Sequence, residues 1–248
     1  PMINYYEYSR YSENDFENTV DKLESFELNE ELSVYGEGIN LKTGIIARIS
    51  EYFSVGLALH SPTIYKMEET FSTEMFTYTD TNYFNYFSGY NYFEYELITP
   101  GKAIISLSSK LNDIMLLNID YEVVDFSSAS MSSNQYDFTT ENNTIDTLFT
   151  KVQNIRIGTD IQLGKLIKNF EGVVFRSGYA RYSNPYSNKN NDFLSENYSF
   201  GFGTNTKNYF LDIAYVLSQY ENTYQLYSKD YIDPINLIST DHHIIFTL

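Results

Sequence analysis

Two-residue alternation of apolar and polar side chains is the feature that most constrains the fold of this chain. In 117–123 every odd position is apolar and every even position is polar or charged, and 155–163 repeats this rhythm. Successive side chains of a β-strand point to opposite faces, so each segment has one apolar and one polar face. Short and long gaps alternate between such segments, which is typical of a transmembrane β-barrel with short periplasmic turns and long extracellular loops. The apolar faces would contact lipid, and the polar faces would line the interior.

Composition agrees with this fold class and excludes several others. The chain of 248 residues has no cysteine and a net charge of -17. It can therefore form no disulfide, and nucleic acid is excluded as a partner because its phosphates would be repelled. The 25 tyrosines and 18 phenylalanines suit the aromatic girdles of a membrane barrel, with a tyrosine-rich soluble β-protein as the alternative. No apolar run approaches the ~18 residues of a membrane helix.

The alternation predicts about ten strands in a single outer-membrane barrel domain covering 1–248. The predicted strands are Ile3–Tyr11, Ile39–Ile49, Phe53–Ile64, Tyr92–Ser109, Asp113–Phe126, Val152–Leu163, Gly172–Tyr182, Asn197–Thr204, Tyr209–Tyr220 and His242–Leu248. Short turns are predicted at 50–52, 110–112, 165–168 and 205–208. A short helix is predicted within 13–31, where Phe16, Val20, Leu23 and Phe26 have helical spacing. Residues 65–91 and 127–151 are predicted to be long loops, the second with a helical turn at 145–149.

Charged and polar side chains on the interior faces are the first candidate site. Facing lipid would cost each of these charges several kcal/mol near the bilayer midplane, so alternation places them inward. Two interpretations stay open: an ion-paired network that stiffens the barrel, or a polar wall that steers the headgroup of an amphipathic ligand. The candidates are Lys42, Arg48, Asn118, Asp120, Glu122, Arg156, Asp160, Arg176 and Asp212.

The aromatic segment within 68–96 is the second candidate site, because exposed aromatic side chains on this scale usually bind something. It is interpreted as a capture surface for hydrophobic ligands or a docking surface for a partner protein; a self-packed loop is the alternative. The residues chosen for this role are Phe84, Tyr86, Phe87 and Tyr90.

Catalysis and cofactor binding have little support in the sequence. The only histidines are His60, His242 and His243, and the adjacent pair would point to opposite faces of a strand. No nucleophile elbow, phosphate-binding loop, dinucleotide fingerprint or EF-hand loop is present. We therefore expect a protein that is not an enzyme, with no cofactor and no metal.

Seven short motifs are spread over most of the chain, at 38–44, 55–63, 99–102, 156–158, 176–179, 183–186 and 199–203. In this order they resemble the FadL/OmpP1/TodX family of outer-membrane transporters, in the variant found in Bacteroidetes. Each motif alone is weak, and the specificity lies in the ordered set.

The resemblance implies a barrel of 14 strands, an even number as in bacterial barrels, plugged by an N-terminal hatch. The chain would then be the C-terminal part of such a barrel, without the hatch and first strands. The implied function is passive uptake of hydrophobic or amphipathic small molecules, such as long-chain fatty acids, across the bacterial outer membrane. The alternative is a non-transporting subunit of an outer-membrane complex for secretion or protein insertion, whose partners would be lipid and other outer-membrane proteins.

Overall fold

The structure is a computed structural model that describes residues 1–14, 23–79, 82–186, 193–205, 210–224 and 235–247. Its helices are short: α1 (Thr139–Leu148) and α2 (Leu163–Leu166), with 3-10 turns at Phe126–Ser128 and Lys168–Phe170. The strands are β1 (Met2–Asn14), β2 (Leu23–Ile39), β3 (Lys42–Arg48), β4 (Phe53–His60), β5 (Thr63–Thr79), β6 (Tyr83–Phe87), β7 (Asn91–Thr99), β8 (Lys102–Leu111), β9 (Met115–Asp125), β10 (Ser130–Ser132), β11 (Lys151–Gln162), β12 (Val173–Ser183), β13 (Phe193–Asn205), β14 (Phe210–Tyr224) and β15 (Ile235–Thr247). All the strand pairs described are antiparallel, which confirms the predicted all-β class.

The chain forms two compact units. Unit 1 consists of Pro1–Asn40, Thr63–Thr99 and Ser130–Asn142. Unit 2 consists of Leu41–Pro62, Pro100–Ala129 and Asn143–Leu248.

Unit 2 is a nine-stranded sheet in the order β15-β14-β13-β12-β11-β9-β8-β4-β3. Strands neighbouring in the sheet follow one another along the chain, apart from the segments that belong to unit 1. These segments leave from one end of the sheet, where Lys42, His60 and Lys102 are neighbours in register. The opposite end carries the connections at 49–52, 112–114 and 163–172. The prediction that short turns lie at one end of the strands and long connections at the other is therefore confirmed within this unit.

The β8–β9 hairpin confirms the short turn predicted at 110–112. Asn112 and Asp113 adopt left-handed backbone conformations, with φ of 48° and 55°. Asn and Asp tolerate this region better than other residues with a side chain. Lys110 forms an ion pair with Asp113, and Lys165 Nζ donates to the Asp113 carbonyl at 2.8 Å.

Two predicted strands are interrupted at prolines. Phe53–Ile64 is split at Ser61-Pro62, and Tyr92–Ser109 is split at Pro100-Gly101. Proline has no N–H to donate to a ladder, so regular pairing stops there. The two breaks meet: a Cβ on Gly101 would lie only 2.7 Å from the His60 carbonyl oxygen, so the close backbone approach requires glycine.

Unit 1 is a six-stranded sheet in the order β1-β2-β5-β7-β10, with β6 also pairing with β5. The long loop predicted at 65–91 is wrong, because most of this segment lies in β5 and β6. β5 pairs with β2 along nearly its whole length, from Ile39↔Ile64 to Leu23↔Thr79. The sequence pattern missed this ladder because both faces of β5 carry glutamates and aromatic rings, which obscures the two-residue period.

Other boundaries also differ from the prediction. The helix predicted within 13–31 is wrong where the structure describes that range, since Leu23 and Phe26 lie in β2; Phe16 and Val20 lie outside the described residues. The predicted loop at 127–151 contains β10 and α1, and α1 extends the helical turn predicted there. The last strand begins at Ile235 rather than His242, and Leu248 lies outside the described residues.

Candidate functional site

Glu122 is the centre of the polar face of unit 2. The register brings Ser106, Asp120 and Arg156 side by side on β8, β9 and β11, with Glu122 one pleat repeat further along. The Glu122 carboxylate accepts hydrogen bonds from Lys102 Nζ at 3.2 Å, Asn154 Nδ2 at 3.0 Å and Arg156 Nη2 at 3.4 Å. Only 6% of Glu122 is exposed. A carboxylate buried to this degree needs such compensation, since an unpaired buried charge is very costly.

Arg176 organises a second group on the same face, nearer the short turns. Its guanidinium lies 3.7 Å from Asp160 on β11 and forms a close ion pair with Asp212 on β14. Asp160 is the direct cross-strand neighbour of Arg176, whereas Asp212 is reached across β13. The arginine on β12 thus links β11, which pairs with β12, to β14, which pairs with β13.

Gly203 makes room for the Arg176–Asp212 pair. It is the cross-strand neighbour of Asp212. A Cβ on Gly203 would overlap the Asp212 carboxylate and lie 2.5 Å from Arg176 Nη1. A Cβ on Gly158 would meet nothing closer than the Ser177 carbonyl oxygen at 4.0 Å. The glycines of this face therefore differ in role, and only Gly203 lies directly beneath an ion pair.

Six of the nine predicted interior residues are brought together in these two groups: Asp120, Glu122 and Arg156 in one, and Asp160, Arg176 and Asp212 in the other. Arg156 joins both carboxylates of its group, with Nε 3.9 Å from Asp120. The remaining three, Lys42, Arg48 and Asn118, lie on the same face but form no ion pair within the described part of the chain. Lys42 and Arg48 are exposed on β3, the last strand at that side of the sheet.

Sequence reasoning assigned Asn154 to the interior face without selecting it as a candidate, and it left out two other members of the Glu122 group, Lys102 and Ser106. Lys102 and Asn154 bind the Glu122 carboxylate, and Ser106 Oγ donates to Asp120 at 2.5 Å. Alternation also places Lys102 and Ser106 on this face, because they occupy even positions of a strand whose odd positions 103, 105 and 107 are apolar. Asn154 also accepts the backbone N–H of Ser183 at 3.1 Å, a contact between distant segments that no local pattern indicates.

The opposite face of unit 2 is apolar and exposed. Its central row joins Leu107, Ile119 and Ile157 across β8, β9 and β11. Large side chains of this face are between 37% and 68% exposed, namely Ile45, Leu57, Leu59, Ile105, Leu107, Ile155, Ile157, Phe200, Phe202, Ile213, Ile244 and Phe246. Soluble proteins bury such a face and expose the polar one, so burial in unit 2 is inverted.

Aromatic residues with polar partners border the apolar face toward the long connections. Tyr179 and Tyr198 are cross-strand neighbours with ring centroids 5.2 Å apart. Both hydroxyls donate to Glu196, at 2.7 Å and 3.2 Å. Such rings, apolar in body and polar at the tip, suit a membrane–water interface.

The four predicted capture residues lie in and after β6 and do not form one surface. Phe84 and Tyr86 pair with Thr77 and Met75 and share one face of the unit 1 sheet, whereas Phe87 pairs with Glu74 and lies on the other. Tyr90 follows the strand and contacts the Phe87 ring edge-on, with centroids 5.4 Å apart. All four are exposed, with Phe84 at 59% and Tyr86 at 68%.

The chemistry available to this arrangement is binding and orientation. Within the ranges that the structure describes, no group of three His, Asp or Glu side chains is placed to hold a metal ion. Neither described helix combines the length and hydropathy needed to cross a membrane.

Comparison with known proteins adds two distant structural likenesses. No family model and no curated protein matches the chain. The crystal structure of the Pseudomonas putida toluene transporter TodX aligns with 99% of this chain and 69% of its own, at 9% identity and a TM-score of 0.48. A Pseudomonas aeruginosa FadL homologue aligns with 96% of this chain and 76% of its own, at 12% identity and a TM-score of 0.44.

Proposed function

We propose that the sheet of unit 2 forms part of the wall of an outer-membrane β-barrel. Its apolar face would contact lipid, and its polar face would line the lumen. The inverted burial carries this proposal, because a sheet with exposed isoleucine and phenylalanine and a buried glutamate is stable only where lipid covers the first face. Residues 1–248 would then belong to one barrel domain in the bacterial outer membrane, as the motif resemblance implies.

The proposed function is passive uptake of hydrophobic or amphipathic small molecules, with long-chain fatty acids as the example. The two ion-paired groups would stiffen the wall and present polar surface to a passing headgroup. Lys42 and Arg48 are exposed cations that form no ion pair with the described residues, which suits them to attract an anionic headgroup. Exposed rings such as Phe84 and Tyr86 would offer a first contact to the apolar tail.

The proposed path has three steps. An apolar or amphipathic molecule is captured at exposed aromatic rings, moves to an internal apolar site, and is released after a rearrangement of the hatch that the motif resemblance implies. No step consumes energy, because the partition of the apolar molecule between the two sides drives net movement. The wall's own task is to hold its charges in pairs so that a passing apolar tail meets no unpaired buried charge.

Uptake into liposomes tests the proposal. The protein extracted from its membrane is reconstituted, and entry of radiolabelled oleate and of radiolabelled toluene is compared with protein-free liposomes. We expect both to enter faster with protein, and Arg48→Ala to slow oleate while leaving toluene unchanged, since only oleate carries a negative charge. Equal entry of both molecules with and without protein would rule out transport.

A second candidate is a barrel that does not transport and instead serves as a subunit of an outer-membrane complex. The observation that favours it is the concentration of negative charge in unit 1, which small apolar ligands do not require. Native mass spectrometry after gentle extraction separates the two candidates. A monomer with an acyl-lipid-sized adduct supports uptake, and a multi-protein assembly without a small ligand supports the subunit.

A further inference from the structure

We propose that the free edge of β6 in unit 1 is a docking site for an extended, basic segment of a partner protein, which adds to the sheet as a further strand. Strand addition of this kind uses the partner's backbone for affinity and its side chains for selectivity. All five residues of β6, Tyr83–Phe87, are exposed. This inference does not depend on transport through unit 2.

The backbone of β6 presents unpaired groups at this edge. Thr79 N donates to Asn82 O at 2.9 Å, and Ser88 N donates to Thr73 O at 2.9 Å. These two hydrogen bonds determine which residues of β6 direct their amides toward β5. Antiparallel pairing alternates, so Phe84 and Tyr86 direct their amides toward β5. Tyr83, Asn85 and Phe87 direct theirs away from it, and no described strand pairs with that side.

The side chains of β6 do nothing to block this edge. Exposed edge strands are usually protected by charged residues or proline, which discourage pairing with another chain. β6 reads Tyr-Phe-Asn-Tyr-Phe and has neither. β1, an outer strand of the same sheet, does carry such residues: Glu7, Arg10 and Glu13.

The charge of unit 1 specifies a basic partner. Unit 1 contains 18 of the chain's 33 acidic residues and three of its 16 basic residues, so it carries -15 of the net -17. A second copy of this sheet or an anionic membrane surface would be repelled. Glu74 is the cross-strand neighbour of Phe87, and its carboxylate accepts from Asn85 Nδ2 at 3.4 Å.

Aromatic rings on the same face as the Glu74 carboxylate also favour lysine or arginine in the partner. Tyr83 lies on the same face as Glu74, and its ring is 5.0 Å from Tyr78 and 6.1 Å from Phe76. A cation next to both an aromatic face and a carboxylate gains from each. The partner strand would therefore carry basic residues at alternate positions, on the face that Tyr83 and Phe87 share.

A defined peptide tests the proposal on the full chain in neutral detergent. The probe is a short fluorescent peptide of alternating lysine and valine, compared with one of alternating glutamate and valine. We expect only the lysine peptide to bind, and its binding to protect the amides of Tyr83, Asn85 and Phe87 from hydrogen exchange. Protection confined to other strands, or equal binding of the two peptides, would overturn the proposal.

Two substitutions at one position separate edge pairing from simple charge attraction. Asn85→Pro removes an N–H that points away from β5, whereas Asn85→Ala keeps it. We expect Asn85→Pro to bind about tenfold more weakly than Asn85→Ala, because both lack the amide side chain and a tenfold change corresponds to about one backbone hydrogen bond. Equal affinities of the two variants would exclude strand addition.

A third variant keeps the test decisive if Asn85→Pro disturbs the fold. Glu74→Lys reverses the charge directly across from Phe87 without altering the backbone of β6. We expect it to weaken binding of the lysine peptide about tenfold at low salt, with the difference shrinking as salt screens the charges. An unchanged affinity would refute the role assigned to the carboxylates.

Discussion

At the scale of single residues, the polar face of unit 2 depends on how completely each charge is compensated. Glu122 has three donors and is almost fully buried, whereas Asp120 has one hydroxyl donor and a distant guanidinium. The two carboxylates are separated by one residue on the same strand and differ mainly in environment. Their substitutions should therefore differ in cost.

Glu122→Ala should destabilise the protein by about 2–3 kcal/mol, because it leaves Lys102 and Arg156 without their shared carboxylate and Asn154 without an acceptor. The free energy of unfolding is measured by urea titration. The fraction of folded protein is read on gels as the band that shifts when the sample is heated. Asp120→Asn is the matched control and should cost less than about 1 kcal/mol, as is usual for exposed pairs. Equal costs would contradict the central role of Glu122.

Gly203→Ala should break the Arg176–Asp212 pair, because the new methyl group would occupy the position of the carboxylate. Gly158→Ala on the same face is the control and should be neutral, since its methyl group has space. The cost of Gly203→Ala should fall when Asp212→Ala is already present, which a double-mutant cycle measures. An unchanged cost in the Asp212→Ala background would show that the clash is with backbone instead.

At the scale of elements, the strands of unit 2 are each specified by their own alternation, and their turns by a few residues. Thr159 interrupts the apolar positions of 155–163, and its register neighbours on that face are Leu117 and Ser177. The strands of unit 1 lack this clear division, and their pairing partners decide their conformation.

Ile157→Arg should abolish assembly in the outer membrane if the apolar face contacts lipid, since arginine near the midplane of a barrel costs about 2–4 kcal/mol. Asp120→Asn on the opposite face should assemble normally. Fractionation of membranes and the heat-modifiable gel shift report the outcome. Equal tolerance of both substitutions would contradict the membrane orientation of this sheet.

The β8–β9 turn should respond to acid through Asp113. Hydrogen bonding and charge from Lys110 lower the pKa of Asp113 below its ordinary value. A lowered folded-state pKa means that the contribution to stability is complete above the unfolded pKa and is lost as pH falls through the folded one. The relevant window therefore lies below about pH 4.

Carboxyl NMR titration of the folded protein tests this turn. In Lys110→Met the pKa of Asp113 should return toward its ordinary value, because both the donor and the charge are removed. The left-handed φ angles of Asn112 and Asp113, 48° and 55°, are the reference against which the turn of the variant is compared, to check that it keeps its conformation. An identical pKa in both proteins would exclude Lys110 as the cause.

At the scale of the whole molecule, charge is divided unequally between the two units. Unit 1 carries -15, and unit 2 is nearly neutral at -2. Some like charges in unit 1 are direct neighbours, such as Glu68 and Glu94 on β5 and β7, an arrangement that destabilises a sheet. Unit 1 should therefore gain stability when its charges are screened.

Hydrogen exchange at low and high salt tests this difference between the units. Amides of β2, β5 and β7 should become better protected at high salt, because the Debye length falls from about 30 Å at 0.01 M to about 8 Å at 0.15 M. Amides of β9, β11 and β12 serve as the internal control and should change little. Equal responses of both sets would show that repulsion within unit 1 is unimportant.

The sequence by itself determined the strands of unit 2, their two faces, and the ends that carry short turns. A two-residue period is a local property, so segments such as 117–123 and 155–163 specify a strand and assign each side chain to a face without knowledge of its partner. Six of the seven charged residues that form the two ion-paired groups were accordingly predicted to share one face; the seventh, Lys102, was not selected.

Tertiary structure alone decided which of these charges meet and what becomes of the aromatic segment. Register places Lys102 and Arg156 on either side of Glu122, and β13 carries a glycine where Arg176 reaches Asp212. Residues 63–79 become a strand because β2, far away in sequence, offers a ladder partner along nearly its whole length. Strand pairing is non-local, so no local pattern in this chain could have predicted the sheet of unit 1 or its free edge.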